Sequence, residues 1–176
     1  MWHFFKTDLK LGSSSQYEVR LASLSEGEHE RVFTCDTTLF SDMENCDVLH
    51  CDVQVTLHIR RRGDIFSLRF VCKGSLAVPC DRCLDPLEIP VDTTYDLQVR
   101  YGLEFDDSAD NILVLPERQT ILDVEPVIYT TLMLCIPLQK HHAPGRCNPE
   151  MAERLRSLGA DSDDDDPTQE EDGPVS

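Results

Sequence analysis

The chain has 176 residues, 40% of them hydrophobic, and a formal charge of −17. That length suits one domain with a tail, and that hydrophobic share is enough for a sizeable core. No run of about 18 apolar residues is present to cross a membrane, and 33 acids against 16 Lys and Arg exclude the basic excess of an ordinary electrostatic nucleic-acid binder.

The acids concentrate at the C-terminus. Residues 161–176 hold eight acids and no base, leaving 25 acids against 16 cations, so the body carries −9. Any RNA contact is then local, indirect or made through a partner. The expected organisation is a single domain over 1–160 and a disordered acidic tail over 161–176, too poor in apolar residues to fold. Met1-Trp2-His3-Phe4-Phe5-Lys6 has neither the charged start nor the apolar stretch of a signal peptide, so a cytoplasmic protein is expected.

In chain order, a turn at Gly12-Ser13-Ser14-Ser15 precedes Tyr17-Glu18-Val19-Arg20-Leu21, which alternates as a strand does. Glu30-Arg31-Val32-Phe33-Thr34-Cys35 is a second short candidate. Then Val53, Val55, Leu57 and Ile59 alternate with Gln54, Thr56, His58 and Arg60, the period of a half-buried strand. Beyond Arg61-Arg62-Gly63-Asp64 the alternation resumes through Phe66, Leu68, Phe70 and Cys72, which makes a hairpin. A third long strand runs from Val91 through Tyr101. Residues 102–118 begin acidic and become strand-like at Ile112-Leu113-Val114-Leu115.

Two helices follow. Asp123 is a good N-cap, Pro126 falls in the first turn, and Val124, Val127, Ile128, Thr131, Leu132 and Cys135 share one face before Pro137. The second helix has Asn148 as cap, Pro149 at its first position, Met151, Leu155 and Leu158 as its stripe, and Gly159 as its stop. The class is α+β: a mainly antiparallel β sheet, curled or barrel-like, with two C-terminal helices and a disordered acidic tail.

Arg60, Arg61 and Arg62 form the only basic triplet, at a hairpin tip, where a solvated turn and a phosphate contact are both open readings. Arg62-Gly63-Asp64 spells an integrin-binding tripeptide, a coincidence of hairpin chemistry in a chain with no secretion signal. Cys35, Cys46, Cys51, Cys72 and Cys135 stand among apolar or strand-like residues and read as buried inert thiols. Cys80, Cys83 and Cys147 stand beside Pro, Asn and charged residues and need another account.

Cys80-Asp81-Arg82-Cys83 lies in a turn between two strand-like stretches. Its two-residue spacing lets both thiolates reach one zinc ion, and Arg82 together with the ion's own charge favours thiolate. The loop from Pro137 to Cys147 carries His141, His142 and Cys147. His142 and Cys147 complete a set of the form Cys-x2-Cys, 58 residues, His-x4-Cys, a gap too long for a compact finger but suited to two meeting loops. On the residues alone metal binding, a dithiol–disulfide pair and inert thiols all stay open. Redox chemistry is disfavoured because no helix N-terminus follows the turn to depress a thiol pKa. His141, beside Lys140, reads as a solvated histidine.

Cys80-Asp81-Arg82-Cys83-Leu84, with Pro86, an Asp-Val-Glu-Pro helix start at Asp123, Ile136-Pro137-Leu138, His142 and Cys147, resembles the YceD-type ribosomal RNA accumulation proteins. The shared pattern covers roughly residues 65–151, and the earlier part is similar only in length and strand content. Many members carry a second close cysteine pair where this chain has Cys147 with His142. The resemblance implies a bacterial or plastid-type protein needed for accumulation of large-subunit ribosomal RNA, whose gene commonly neighbours that of a small zinc-ribbon ribosomal protein. It implies no catalytic activity, and the chain has no phosphate-binding Gly loop or nucleophile elbow.

The leading expectation is a non-enzymatic factor in large-subunit biogenesis, with Cys80, Cys83, His142 and Cys147 as a zinc-binding candidate. A ribosomal protein of the large subunit or a pre-ribosomal particle is its expected partner, with no membrane association. Arg60, Arg61, Arg62, Arg82, Lys140 and Arg146 are the candidate RNA or partner contacts. The alternatives are a thiol-redox or metal-dependent enzyme using the Cys-x-x-Cys turn, and a zinc-storage or structural protein with no RNA link.

Overall fold

The computed structural model describes residues 16–41, 47–109, 111–143 and 145–157. Two short elements, β1 (Glu18–Arg20) and β2 (Gly27–Cys35), precede three long strands, β3 (His50–Arg62), β4 (Ile65–Pro79) and β5 (Pro86–Gly102). After them come β6 (Asp106–Ala109), β7 (Ile112–Pro116), β8 (Ile121–Asp123), α1 (Glu125–Met133) and α2 (Pro149–Ser157).

Alternation forces the three long strands into one sheet. Val53, Val55, Leu57 and Ile59 of β3 and Phe66, Leu68, Phe70 and Cys72 of β4 are all at most 1% exposed, while Gln54, His58, Arg60, Ser67, Arg69 and Lys73 face out. Burial of each large side chain contributes about 1.5–3 kcal/mol, so a register slip of one residue is strongly disfavoured. The hairpin pairs Arg62 with Ile65 across Gly63-Asp64, where Gly63 takes φ 58°. The buried face is covered by α1, by the ribbon of β1 with β8, and by a 3-10 turn at Thr37–Phe40 that buries Leu39 and Phe40.

The sheet order is β2-β3-β4-β5-β7-β6, and it is open: among the described residues no ladder joins the two edge strands. The barrel-like expectation is therefore corrected. The sheet is also mixed. β7 lies parallel to β5, because the chain first turns back through β6, which pairs antiparallel to β7 on the outside. Asp106-Asp107-Ser108-Ala109 has poor strand propensity, which hides β6 in the sequence. Asn111, at φ 60°, makes the return, in a region Asn tolerates better than most residues.

One glycine is indispensable to this sheet. Gly74 on β4 sits opposite Val53 at φ 152°, and an added Cβ would lie 2.1 Å from the Asp52 carbonyl oxygen. Only a bare Cα permits that approach.

The helices largely follow their sequence signals. Val124 caps α1 by position, yet the Asp123 carboxylate still accepts the Glu125 N–H at 3.0 Å. Val127, Ile128, Thr131 and Leu132 are buried, and Cys135 packs against the core with its Sγ donating to the Thr131 carbonyl at 3.4 Å. Asn148 accepts the Glu150 N–H at 3.1 Å at the start of α2. Cys46, the turn at residues 12–15, Leu158-Gly159 and the acidic tail lie outside the described residues. Among the described residues, no helix is long and apolar enough to cross a membrane.

Candidate metal centre

The β4–β5 hairpin ends in the Cys80–Cys83 turn. Pro79 and Pro86 are the last paired residues of the two strands, so the turn is a tight six-residue connection. Its backbone is closed by the Cys80 N–H donating to the Asp85 carbonyl and the Leu84 N–H donating to the Cys80 carbonyl, both at 2.9 Å. Leu84 then takes φ 63°. For a residue other than glycine this costs on the order of 1 kcal/mol.

The loop that follows α1 folds over this turn and is stitched to it through Asp81. The Asp81 N–H donates to the Lys140 carbonyl at 2.6 Å, and the Lys140 N–H donates to Asp81 Oδ2 at 2.8 Å. Lys140 Nζ, on a side chain only 19% exposed, lies 3.5 Å from Asp81 Oδ1 and 3.6 Å from Asp47 Oδ2. This clasp fixes the register of residues 140–142 against the cysteines.

It brings all four expected ligands together. One ligand atom from each of Cys80, Cys83, His142 and Cys147 lies within 4.8 Å of the others. A tetrahedron of thiolates around an ion with bonds of about 2.3 Å has edges of about 3.8 Å, so these donors can close on one ion with small side-chain adjustments. The imidazole is already committed. His142 Nε2 is 3.2 Å from the Pro86 carbonyl and donates to it, which leaves the Nδ1 lone pair 3.5 Å from Cys83 Sγ. A ligating histidine is commonly held in this way, by a carbonyl on its second nitrogen. Three thiols and one imidazole, close together and oriented, fit a metal ion.

Electrostatics separate the thiols. Burial raises the Cys80 pKa, but the backbone N–H groups of Cys83, Arg82 and His142 and the Cys83 side chain point at its sulfur and outweigh that. The net effect lowers Cys80 to about 6. No helix N-terminus follows the turn, as expected; the amides of the turn and of His142 across it lower the thiol instead. Arg82 acts through its backbone, since its side chain is exposed. Cys147 moves the other way, raised by burial and then by the neighbouring Cys80 and Cys83 sulfurs.

The buried cysteines Cys35, Cys51 and Cys72 are a different population. Burial pushes Cys35 to about 11 and Cys51 and Cys72 to about 12, so they stay protonated and inert.

The cations singled out in the sequence are scattered. Arg60 pairs with Glu28 across β2 and β3, and Arg61 donates to the Leu24 carbonyl and lies over the Phe66 ring. Arg62 is exposed, and the triplet lies at the hairpin tip, away from the cysteines along β4. Arg82 and Arg146 are exposed with no ion pair among the described residues, and Lys140 is the clasp. Sequence reasoning missed three parts: Asp81, the Pro86 carbonyl and the Leu84 conformation. An Asp and a Lys 59 residues apart give no pairing signal, and a carbonyl gives none at all.

The family model described as Large ribosomal RNA subunit accumulation protein YceD matches residues 68–174, more than half of the chain. That span contains all four ligands. No curated protein and no solved structure matches the chain.

Proposed function

Because the chain belongs to the YceD family of large ribosomal RNA subunit accumulation proteins, we propose that it is a non-catalytic factor in biogenesis of the large ribosomal subunit, acting in the cytoplasm. Its Cys80, Cys83, His142 and Cys147 would hold one zinc ion. The observation that carries this reading is the oriented four-donor cluster at the family's cysteine turn. Zinc suits a set of three thiolates and one imidazole, and a closed four-ligand site leaves no position open for substrate. The ion would staple the β4–β5 hairpin to the loop after α1.

A partner among large-subunit ribosomal proteins, or a pre-ribosomal particle, fits the charge. Those proteins are basic as a class, and a chain of −17 attracts them at long range. Separation of ribosomal particles on a gradient after deletion of the gene tests the reading. Depleted large subunits, restored by the wild-type gene, are expected; unchanged large-subunit RNA and particles would contradict it.

The low Cys80 pKa favours one second reading, thiol redox chemistry at Cys80 and Cys83. It predicts a reversible disulfide with a measurable potential in the zinc-free protein. Absence of such a couple removes it.

A further inference from the structure

The thiols of the centre do not meet solvent equally. Cys80 and Cys83 are 0% and 3% exposed at the end of the β4–β5 hairpin. Cys147 is half-buried, on a loop whose Gly145 and Arg146 are exposed. The two turn sulfurs also differ in how they are held. Backbone N–H groups of Cys83, Arg82 and His142 converge on Cys80 Sγ, whereas Cys83 Sγ faces His142 Nδ1 at 3.5 Å and the neighbouring sulfurs. Cys83 is therefore the freer of the two to turn toward a new partner.

We propose that the centre is a peroxide-sensitive switch in which Cys147 is oxidised first and Cys83 then closes on it, exchanging the zinc staple for a Cys83–Cys147 disulfide. This rests on the zinc reading above. A cysteine that senses peroxide is a solvent-reachable thiolate with a second thiol beside it. Zinc binding makes Cys147 a thiolate, and its place on the loop lets a small oxidant reach it. The ligand atoms of the cluster, Cys83 Sγ and Cys147 Sγ among them, all lie within 4.8 Å of one another. The sheet thiols Cys35, Cys51 and Cys72 are buried and lack that access.

Hydrogen peroxide is the oxidant, and the step balances with it. The Cys147 sulfur attacks one peroxide oxygen, the O–O bond breaks, and a sulfenic acid forms while hydroxide leaves and is protonated to water. The Cys83 thiolate then attacks the sulfenic sulfur. The S–S bond forms, the S–O bond breaks, and the second hydroxide leaves as water. Two thiolates lose two electrons in all, and one peroxide takes them with two solvent protons. Cys80 and His142 remain as donors, and a pair of donors does not hold an ion that takes four. The sulfurs must close from at most 4.8 Å to the about 2.05 Å of a disulfide, a movement of the Cys147 loop. The Asp81–Lys140 clasp and the bond from His142 to the Pro86 carbonyl stay in place. The turn and the loop after α1 are thus joined before and after oxidation, first through the ion and then covalently.

The test treats the full zinc-loaded chain with hydrogen peroxide. Zinc is followed with a colour-forming chelator too weak to strip the untreated protein, and crosslinks by mass spectrometry of an unreduced digest. The expected result is zinc and disulfide released and formed in equal amounts, a single Cys83–Cys147 crosslink, and recovery of the zinc-bound protein on adding a dithiol reductant with zinc. Cys147→His keeps a set of sulfur and nitrogen donors but removes the reachable sulfur, so its zinc is expected to leave roughly tenfold more slowly. Release from Cys147→His as fast as from wild type overturns the proposal. So does a Cys80–Cys83 crosslink, sulfinic acid at Cys147 without any crosslink, or zinc retained throughout. The crosslink map of the wild type decides the matter where Cys147→His fails to fold or to load zinc. Failure of the zinc reading shows separately, as protein that carries no metal before peroxide is added.

Discussion

Cys72 and Cys80 lie on one strand and its adjoining turn, eight residues apart, and each is fully buried. Their chemistry is opposite. Cys72 sits mid-strand, where its neighbours are the side chains of the core, and burial pushes it up to about 12. Cys80 sits where the strand ends, and the amides of a tight turn and of the loop across it converge on its sulfur, bringing it to about 6. A strand spends its N–H groups on its neighbours; a turn has them to spare. Burial alone thus does not decide whether a cysteine is inert. The backbone around it does.

The largest test of that contrast is thermal stability with metal bound. Cys80→Ser is expected to lower the melting temperature by more than 10 °C, because a structural zinc site contributes several kcal/mol that one missing thiolate forfeits. Cys72→Ala removes only a buried sulfur and is expected to cost about 1–2 kcal/mol, with zinc retained. Equal losses from the two would erase the distinction.

Gly74→Ala probes the strand between them. A Cβ 2.1 Å from the Asp52 carbonyl must move β3 or β4 apart, at a cost of about 2–4 kcal/mol. Urea titration should show this loss while the folded variant still binds one zinc. Loss of zinc from the folded variant would mean that sheet and centre are not separable.

The metal-free protein should show opposite pH dependences in two windows. Cys80 has its folded pKa depressed from 9.0 to about 6, so the unfolded chain holds the extra proton between those values. Its contribution to stability is full above pH 9 and is lost as pH falls through 6. Cys72 is raised from 9.0 to about 12, so its contribution is full below pH 9 and is lost as pH rises through 12. Denaturation followed from pH 6 to 11 should therefore show the thiol contribution rising, then falling. In Cys80→Ser the rise between pH 6 and 9 should shrink and the alkaline fall remain.

A smaller effect belongs to the clasp. Asp81→Asn keeps a side chain that can accept from the Lys140 N–H but removes the charge facing Nζ. Zinc affinity is expected to fall roughly tenfold, measured by competition with a chelator, as for other residues that orient ligands without touching the metal. Unchanged affinity would mean that the loop needs no such support.

The same contrast explains what could be read in advance. The long strands, α1 and the inert thiols follow from period and neighbours, because burial of Val53, Phe66, Leu68 or Cys72 is a one-dimensional pattern. The cysteine turn was visible through its spacing, and its second half, His142 with Cys147, through residue type alone. Three-residue β8, acidic β6 and the parallel β5–β7 pair were not legible, since each depends on a partner strand distant in sequence. Nor was the depressed Cys80 thiol, because amide direction in a folded turn leaves no trace in residue identity.

The central claim is that Cys80, Cys83, His142 and Cys147 act as one metal staple while the sheet thiols do not. Elemental analysis of the protein purified without chelator tests it most directly, for wild type, Cys80→Ser and Cys72→Ala side by side. The account predicts about one zinc per chain in wild type and Cys72→Ala and close to none in Cys80→Ser. Wild type free of metal, or equal zinc in both variants, would contradict it.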